Sequence, residues 1–498
     1  MKPLDRVDNW ILAALALAAA PVLFAAESTS PAPGVPWSAP AAAATDKLAP
    51  TRKPAEVPER WKTGATVLTL SEVIDIALRN NPATRAAWYQ ARSAADELSA
   101  RKGAYLPELD FAYGVTRQKQ AAVGGQFVFL QTTYGPSAVV GGPPGTGSSA
   151  TVNYTLLDSG KRSGEVDEAR RALFAANWSH NSAIQNLILQ VESAYFQYQN
   201  AKALLSADQA TLTEAQQNLE AANERHRAGV ATIADVLQAK TAVSQARLEV
   251  DTVEGAILAL RGALVTAVGF PASLATLPID VEDLPTNLDT SGIAHDADGL
   301  IAEAEQKRPD LAAARQTALA AAAHVRAVRS DGLPTLGLNA TANRTYYAHP
   351  AGSHFSTNYA GTIQLKFPVF NGFQNLNNTR KARDDARASA ASAEGLEQQV
   401  ILQVWTSYAN LKTAAQRLAT AHDLLDSAKQ SEDVAAGRYR NGVGNIIDLL
   451  NAQSTLASAR AQEVQARSDW LQSLAQLAHD TGVLAPPAAG TADNKGKE

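Results

Sequence analysis

The chain of 498 residues contains no cysteine. Disulfides, thiolate metal sites, a catalytic thiol and a lipid anchor on an N-terminal cysteine are excluded together. Aromatic residues are only 6% of the total, and proline is missing from residues 161–228 and again from 373–441. An alanine-rich chain with such stretches favours long helices packed side by side over ordinary globules. A net charge of −5 gives no electrostatic case for nucleic-acid binding. Only residues 10–26 form a long apolar run, and no other segment approaches the about 18 apolar residues of a spanning helix. Residues 1–26 are expected to be a secretory signal peptide. An uncleaved anchor is the alternative, because Asp5 and Asp8 offset Lys2 and Arg6, and Phe24 interrupts the small-residue pattern before Glu27. Residues 27–66, rich in proline and alanine, read as an extended linker.

What the chain does have is a second copy of itself. Pro82 and Pro309 are 227 residues apart, as are Pro107 and Pro334. Asp158 pairs with Asn371, Tyr195 with Tyr408, Gly229 with Gly442, Asp235 with Asp448 and Gly269 with Gly482 at a spacing of 213. Two constant offsets describe one unit written twice, with one change of 14 residues (227 − 213) between the halves. The expected organisation is a first repeat over 67–270, an equatorial linker over 271–298, a second repeat over 299–482 and a disordered tail over 483–498.

Each repeat reads helix, strand, loop, strand, very long helix, tight turn, helix. Ser71 is the candidate N-cap of a short helix reaching Arg79, and Pro82 can begin the next one. Leu109, Phe111, Tyr113 and Val115 alternate with polar or small residues, as do Val152, Tyr154 and Leu156. In the second repeat Leu336 and Leu338 alternate likewise, and Tyr359, Ile363, Leu365 and Phe367 oppose Asn358, Thr362, Gln364 and Lys366. Period two with one apolar face predicts four strands. Residues 118–148 read as a loop. The proline-free stretches could each span about 100 Å as helix. Residues 231–268 and 82–104, laid end to end, could match one of them.

Nothing in the sequence supplies a layer to cover the apolar face of four strands. Lipid on one side and water on the other fits the pattern, but a membrane barrel needs at least about eight strands. Three chains would give twelve strands with no edge, and two chains would give eight.

Several segments resemble one family. They are Leu106-Pro107-Glu108-Leu109 before the first strand, Phe367-Pro368-Val369-Phe370-Asn371-Gly372 after the last, and two turns. The turns are Arg227-Ala228-Gly229-Val230-Ala231-Thr232-Ile233-Ala234-Asp235 and Arg440-Asn441-Gly442-Val443-Gly444-Asn445-Ile446-Ile447-Asp448. Over about residues 67–482 the chain resembles the TolC-type outer-membrane channel family, nearer the non-lipidated, CyaE-like branch of type I secretion channels. The resemblance implies an α+β membrane channel built from a duplicated helix-strand-strand-helix unit. It implies a homotrimer with a twelve-stranded barrel in outer-membrane lipid and a helical barrel in the periplasm. The implied partners are a periplasmic adaptor and an inner-membrane pump, either an ABC transporter or proton-driven.

The same resemblance singles out the turns. Gly229, Val230, Gly442 and Val443 match tips that dock the adaptor's helical hairpin. Glycine there also serves the positive φ of a tight reversal. Asp448 matches a constriction aspartate, which three chains would arrange as a ring of negative charge. A carboxylate near a helix start is also favoured by the macrodipole alone. Asn451 stands where the second constriction aspartate would be. Tyr439 and Asp235 match a tyrosine–aspartate bond that ties the closed tips, and Gly444 replaces a linking arginine.

Catalytic readings fail. Gly142 to Ser149 mimics a phosphate loop, but Ser148 replaces the lysine and a strand follows. His349 and His354 lack the spacing and the third ligand of a zinc site. No enzyme activity, metal or cofactor is expected. The reading is a passive exit duct passing cargo from adaptor and pump to the exterior, and a periplasmic adaptor or a structural coiled coil are the rivals.

Overall fold

The structure, a computed structural model, describes residues 32–35, 66–116, 128–129, 132–133, 145–276, 279–286, 288, 296–347 and 354–484. The expected signal peptide, most of the linker and tail, and His349 lie outside them. The elements in order are β1 (Thr66–Leu68), α1 (Leu70–Asn80), α2 (Pro82–Gly103), β2 (Glu108–Thr116), β3 (Val128–Phe129), β4 (Thr132–Thr133), β5 (Gly145–Leu157), α3 (Lys161–Arg227), α4 (Ile233–Ala267), β6 (Ile279–Val281), α5 (Ala297–Lys307), α6 (Pro309–Ser330), β7 (Thr335–Tyr347), β8 (His354–Lys366), α7 (Gln374–Arg440) and α8 (Ile446–Asp480). The duplication is visible in the lengths. α1 and α5 have 11 residues each, α2 and α6 22, α3 and α7 67, and α4 and α8 35.

Two compact units are formed. One comprises residues 94–172 and 318–389 and holds an antiparallel sheet in the order β2-β5-β7-β8. Its register sorts the side chains. Leu109, Phe111 and Tyr113 on β2 are level with Val152, Ala150 and Ser148 on β5. These continue across to Ala340, Ala342 and Arg344 on β7, and then to Gly361, Tyr359 and Thr357 on β8. Phe111, Tyr113, Tyr359, Ile363 and Leu365 on this face are 60–75% exposed. The opposite face is polar, and Asn339 donates to Asn153 across it at 2.7 Å. Strands β5, β7 and β8 have 13 residues each. At ~3.3 Å per residue that is about 43 Å, enough to cross an apolar band of about 25 Å when tilted.

β5 starts at Gly145, inside the stretch read as loop, because β2 and β7 pair with it on both sides. Backbone pairing on two edges overrides the weak strand propensity of Gly145-Thr146-Gly147-Ser148-Ser149. The phosphate-loop mimic is therefore strand from Gly145 onward.

The other unit comprises residues 28–93, 173–317 and 390–498. Its largest core packs Val73, Ala77 and Leu78 of α1 with Ile184, Ile188, Val191 and Tyr195 of α3 and Leu264 and Val268 at the end of α4. Helix α1 starts two residues earlier than Ser71 would place it. Thr69 is its N-cap, with a reciprocal capping box to Glu72. β1 and β6 form a parallel pair beside this core. Residues Ala32–Val35, within the expected linker, form a turn closed by Val35 N–H to Ala32 C=O at 3.1 Å. His180 Nε2, fully buried on α3, donates to Pro33 C=O at 2.8 Å. A Cβ on Gly34 would stand 2.8 Å from Leu78 O, so only glycine lets this turn approach α1.

The end-to-end junction expected of the ascending helices is present twice. Asn81, at the start of α2, donates to Ala267 O at the end of α4 at 3.1 Å. In the second repeat Arg308 takes the place of Asn81 and reaches Asp480 O at 3.4 Å. Gly269 and Gly482 have φ of 94° and 76°, and a Cβ on either would sit 2.9 Å from the facing backbone.

The second junction adds charge. Arg308 is 6% exposed. It donates to both Asp310 oxygens at 3.0 and 2.6 Å and to Gln403 at 2.7 Å. Hydrogen bonds from Arg308 and the adjacent N–H groups overcome burial and hold the Asp310 carboxyl below its usual range. Asp480 is lowered by its bonds to His479 and Gln476 and by Arg308. Depressed carboxylates contribute stability above their unfolded value of 3.8, and lose it as pH falls through the lower folded value. We expect Arg308→Ala to cost about 3 kcal/mol at neutral pH. In denaturant titrations the gap from the wild type should shrink below about pH 4.

Candidate functional site: the two hairpin tips

Both long helices end in the same reversal. Val230 N–H bonds to Arg225 C=O at 2.9 Å and Gly229 N–H to His226 C=O at 2.9 Å. In the second hairpin Val443 N–H bonds to Arg438 C=O at 3.0 Å and Gly442 N–H to Tyr439 C=O at 3.1 Å. This is the six-to-one and five-to-two pairing that a left-handed residue after a helix permits. Gly229 and Gly442 supply it with φ of 77° and 75°. The next helix is then capped by Thr232 in the first tip and Asn445 in the second.

The two tip aspartates differ in what they hold. Asp235 accepts from Thr232 N–H at 2.7 Å and completes a capping box. Asp448 gives its backbone N–H to Asn445 at 2.7 Å, while its carboxylate, exposed, makes no bond among the described residues. Asn451 is exposed one turn further on. Val230 and Val443 are 65% and 69% exposed, with Ile233 and Ile447 beside them at 59% and 51%. The tips thus present apolar knobs outward.

The tyrosine–aspartate bond implied by the resemblance is not made. Tyr439 is 5% exposed, packed with Ala222, Ala239, Ile446 and Leu449, and its hydroxyl has no partner among the described residues. Its pKa is raised by burial, against the pull of Arg225 and with a push from Asp235. Asp235 is turned to its own helix cap instead. The contact that does join the hairpins is Arg225, on the last turn of α3. It donates to Tyr439 C=O at 2.7 Å, and its guanidinium lies 4.7 Å from the centre of the Tyr439 ring. At Gly444 a side chain would press on Arg438, its Cβ 3.0 Å from that residue's own. Arg225 thus brings a guanidinium of the first hairpin onto Tyr439 of the second. Sequence reading passed over Arg225, because a cation in the last turn of a helix has an ordinary explanation in the macrodipole.

A second region bears on assembly. Along the helical unit α3 and α8 form a seam between the repeats. Asn200 donates to Gln465 at 3.0 Å, His479 bonds to Asn186 at 2.8 Å, and Arg460 grips Glu214 at 2.8 and 3.0 Å. Leu189 is half-buried against this core. Its repeat equivalent on α7, Leu402, is 63% exposed, with Trp405 beside it at 55%. On α4, Leu258 is 61% exposed, and open space lies over Gly255 and Gly262. None of the described helices is long and apolar enough to cross a membrane.

The comparisons with known proteins agree with this geometry. The sequence pattern of the outer membrane efflux protein family matches residues 73–270 and 300–483. Protein CyaE of Bordetella pertussis is 26% identical over 403 residues, covering 80% of each chain. The outer membrane protein TolC of Vibrio cholerae is 23% identical over 427 residues, covering 83% of this chain and 91% of that one. Among solved structures, the outer membrane protein VceC of Vibrio cholerae aligns with a TM-score of 0.71 at 20% identity, over 83% of this chain and 96% of that one. The duplicated unit, the two-faced sheet and the paired tips therefore have one home, and the chain belongs to the outer membrane efflux protein family, as an exit duct of the outer membrane with the TolC-type channel fold.

Proposed function

We propose that the chain works as a homotrimer, a tip-gated duct that receives cargo from a periplasmic adaptor and an inner-membrane pump. The single observation that carries this reading is the sheet. Its edges, β2 and β8, are unpaired among the described residues, one face is apolar and exposed, and the other is polar. Edge-to-edge pairing of β8 with β2 of another copy satisfies both edges, turns the apolar face to lipid and lines a pore with the polar face. The seam supports the same assembly. The α3–α8 contact has a repeat-related counterpart, α7 against α4, that one chain leaves uncovered and a neighbouring copy would cover.

The tips then meet around the axis, with Asp448 free to form a ring and Val230, Gly229, Val443 and Gly442 available to the adaptor. Asn451 leaves that constriction with one acidic ring. Arg225 is the latch between hairpins, and adaptor contacts that outcompete it open the duct. The similarity to CyaE favours a protein cargo of the type I secretion class over small molecules. No nucleotide site is expected, so the partner supplies the energy.

Planar-bilayer recording tests this. A charged hydrogen bond plus a cation–π contact is worth about 2 kcal/mol, so Arg225→Ala should raise the open fraction ~30-fold. Asp448→Asn should lower cation preference at unchanged open fraction. Wild-type behaviour in both variants would remove the tips from the gate.

A further inference from the structure

The apolar face of the sheet carries one charged residue among the described strands, Arg344. It is level with Ser148 on β5 and Thr357 on β8. Its guanidinium lies 4.5 Å from the centre of the Phe355 ring, and Phe355 in turn packs on Tyr346 at 5.1 Å. Stacking on an aromatic face fixes the guanidinium while leaving its hydrogen-bonding edge open. No carboxylate shares its face of the sheet among the described strands. The two acidic residues of β2, Glu108 and Asp110, stand on the opposite, polar face, and residues 111–157 and 335–366 contain no aspartate or glutamate. They do contain Arg117, Lys119, Arg344 and Lys366. The counter-charge must come from outside the chain.

The position says from where. Arg344 lies nine residues beyond Thr335, where β7 leaves the helices. That is about 30 Å along the strand, or about 23 Å along the membrane normal at a tilt of ~40°. The apolar band is about 25 Å tall, so Arg344 stands at its far edge, among Tyr346, Phe355 and Tyr113. An arginine is costly at the bilayer midplane and tolerated at the edge of the band. In this family the helices face the periplasm, so the far edge is the outer leaflet. That leaflet is built of glycolipids whose glucosamine headgroups carry phosphates.

We propose that Arg344, held on Phe355 and flanked by the hydroxyls of Ser148 and Thr357, binds the phosphate of an outer-leaflet phosphoglycolipid. A guanidinium meets phosphate through two parallel hydrogen bonds, and hydroxyls on either side can add to them. The site rests on the reading that the apolar face meets lipid, and it adds a choice among lipids that apolar burial cannot make.

Native mass spectrometry of the full-length oligomer in detergent tests it. The probes are diphosphoryl lipid A, the same lipid stripped of phosphate, and inorganic phosphate. Wild-type protein should retain the phosphorylated lipid about tenfold better than the stripped one. Arg344→Ala should abolish the preference and Arg344→Lys should keep part of it, while all three remain intact oligomers. Equal retention of both lipids, or a preference that survives Arg344→Ala, overturns the site. Displacement of the lipid by inorganic phosphate at equal concentration also overturns it, because the arginine would then read a free anion. Failure to retain either lipid would instead strike the apolar-face reading itself.

Discussion

Trp405→Asp should abolish the assembled oligomer while leaving each chain helical. Leu402 sits on α7 where its repeat equivalent on α3, Leu189, meets α8, and Trp405 is beside it, yet they are 63% and 55% exposed in the single chain. Burying both against the glycine-lined face of α4 on a neighbour removes enough apolar surface for about 4 kcal/mol per seam. Placing a carboxylate there loses that contribution and adds a charge to a closed interface. The association constant should fall by about three orders of magnitude per seam, and a closed ring has several. Heat-modifiable migration on a gel reads the loss directly, and circular dichroism checks that the helices persist.

The second large effect is a contrast between neighbours. Ile363 and Gln364 are adjacent on β8 and point to opposite faces. Ile363, 68% exposed on the apolar face, is level with Leu338, three residues beyond Thr335, or about 8 Å into the band. Arginine on the lipid side costs about 2–4 kcal/mol at the midplane and less toward the edges, so about 1–3 kcal/mol in each chain at this depth. Ile363→Arg should therefore deplete the protein from the outer-membrane fraction, and Gln364→Arg should insert normally and change only ion selectivity. Equal insertion of the two variants would mean that the two faces do not see different solvents.

The duplication and the strand pattern were legible in the sequence because both are periodic. The offsets 227 and 213 fix which residues are equivalent, and alternation from Leu109 to Val115 fixes which face is apolar. The equal helix pairs and the sheet register follow from those two facts. Local caps were less legible. Ser71 and Thr69 are both good capping residues, and only the geometry of Glu72 chooses Thr69. β5 hid its first residues because glycine and serine there are held by neighbours on both sides rather than by their own propensity. At the tips the resemblance paired Tyr439 with Asp235, and the structure does not make that bond. Asp235 has two competing donors, and the backbone N–H of Thr232, three residues away, is nearer than the Tyr439 hydroxyl on another hairpin. Arg225, Arg344 and the exposed Leu402 and Trp405 carry no motif. They become informative only when the repeat register shows what the matching position buries, or when the surroundings lack a counter-charge.

The account depends on copies of the chain closing one another's sheet edges. Light scattering on the purified protein, with the detergent contribution subtracted, measures that directly. The predicted result is a particle of three chains that needs detergent to stay dispersed. A monodisperse single chain in plain buffer would contradict it.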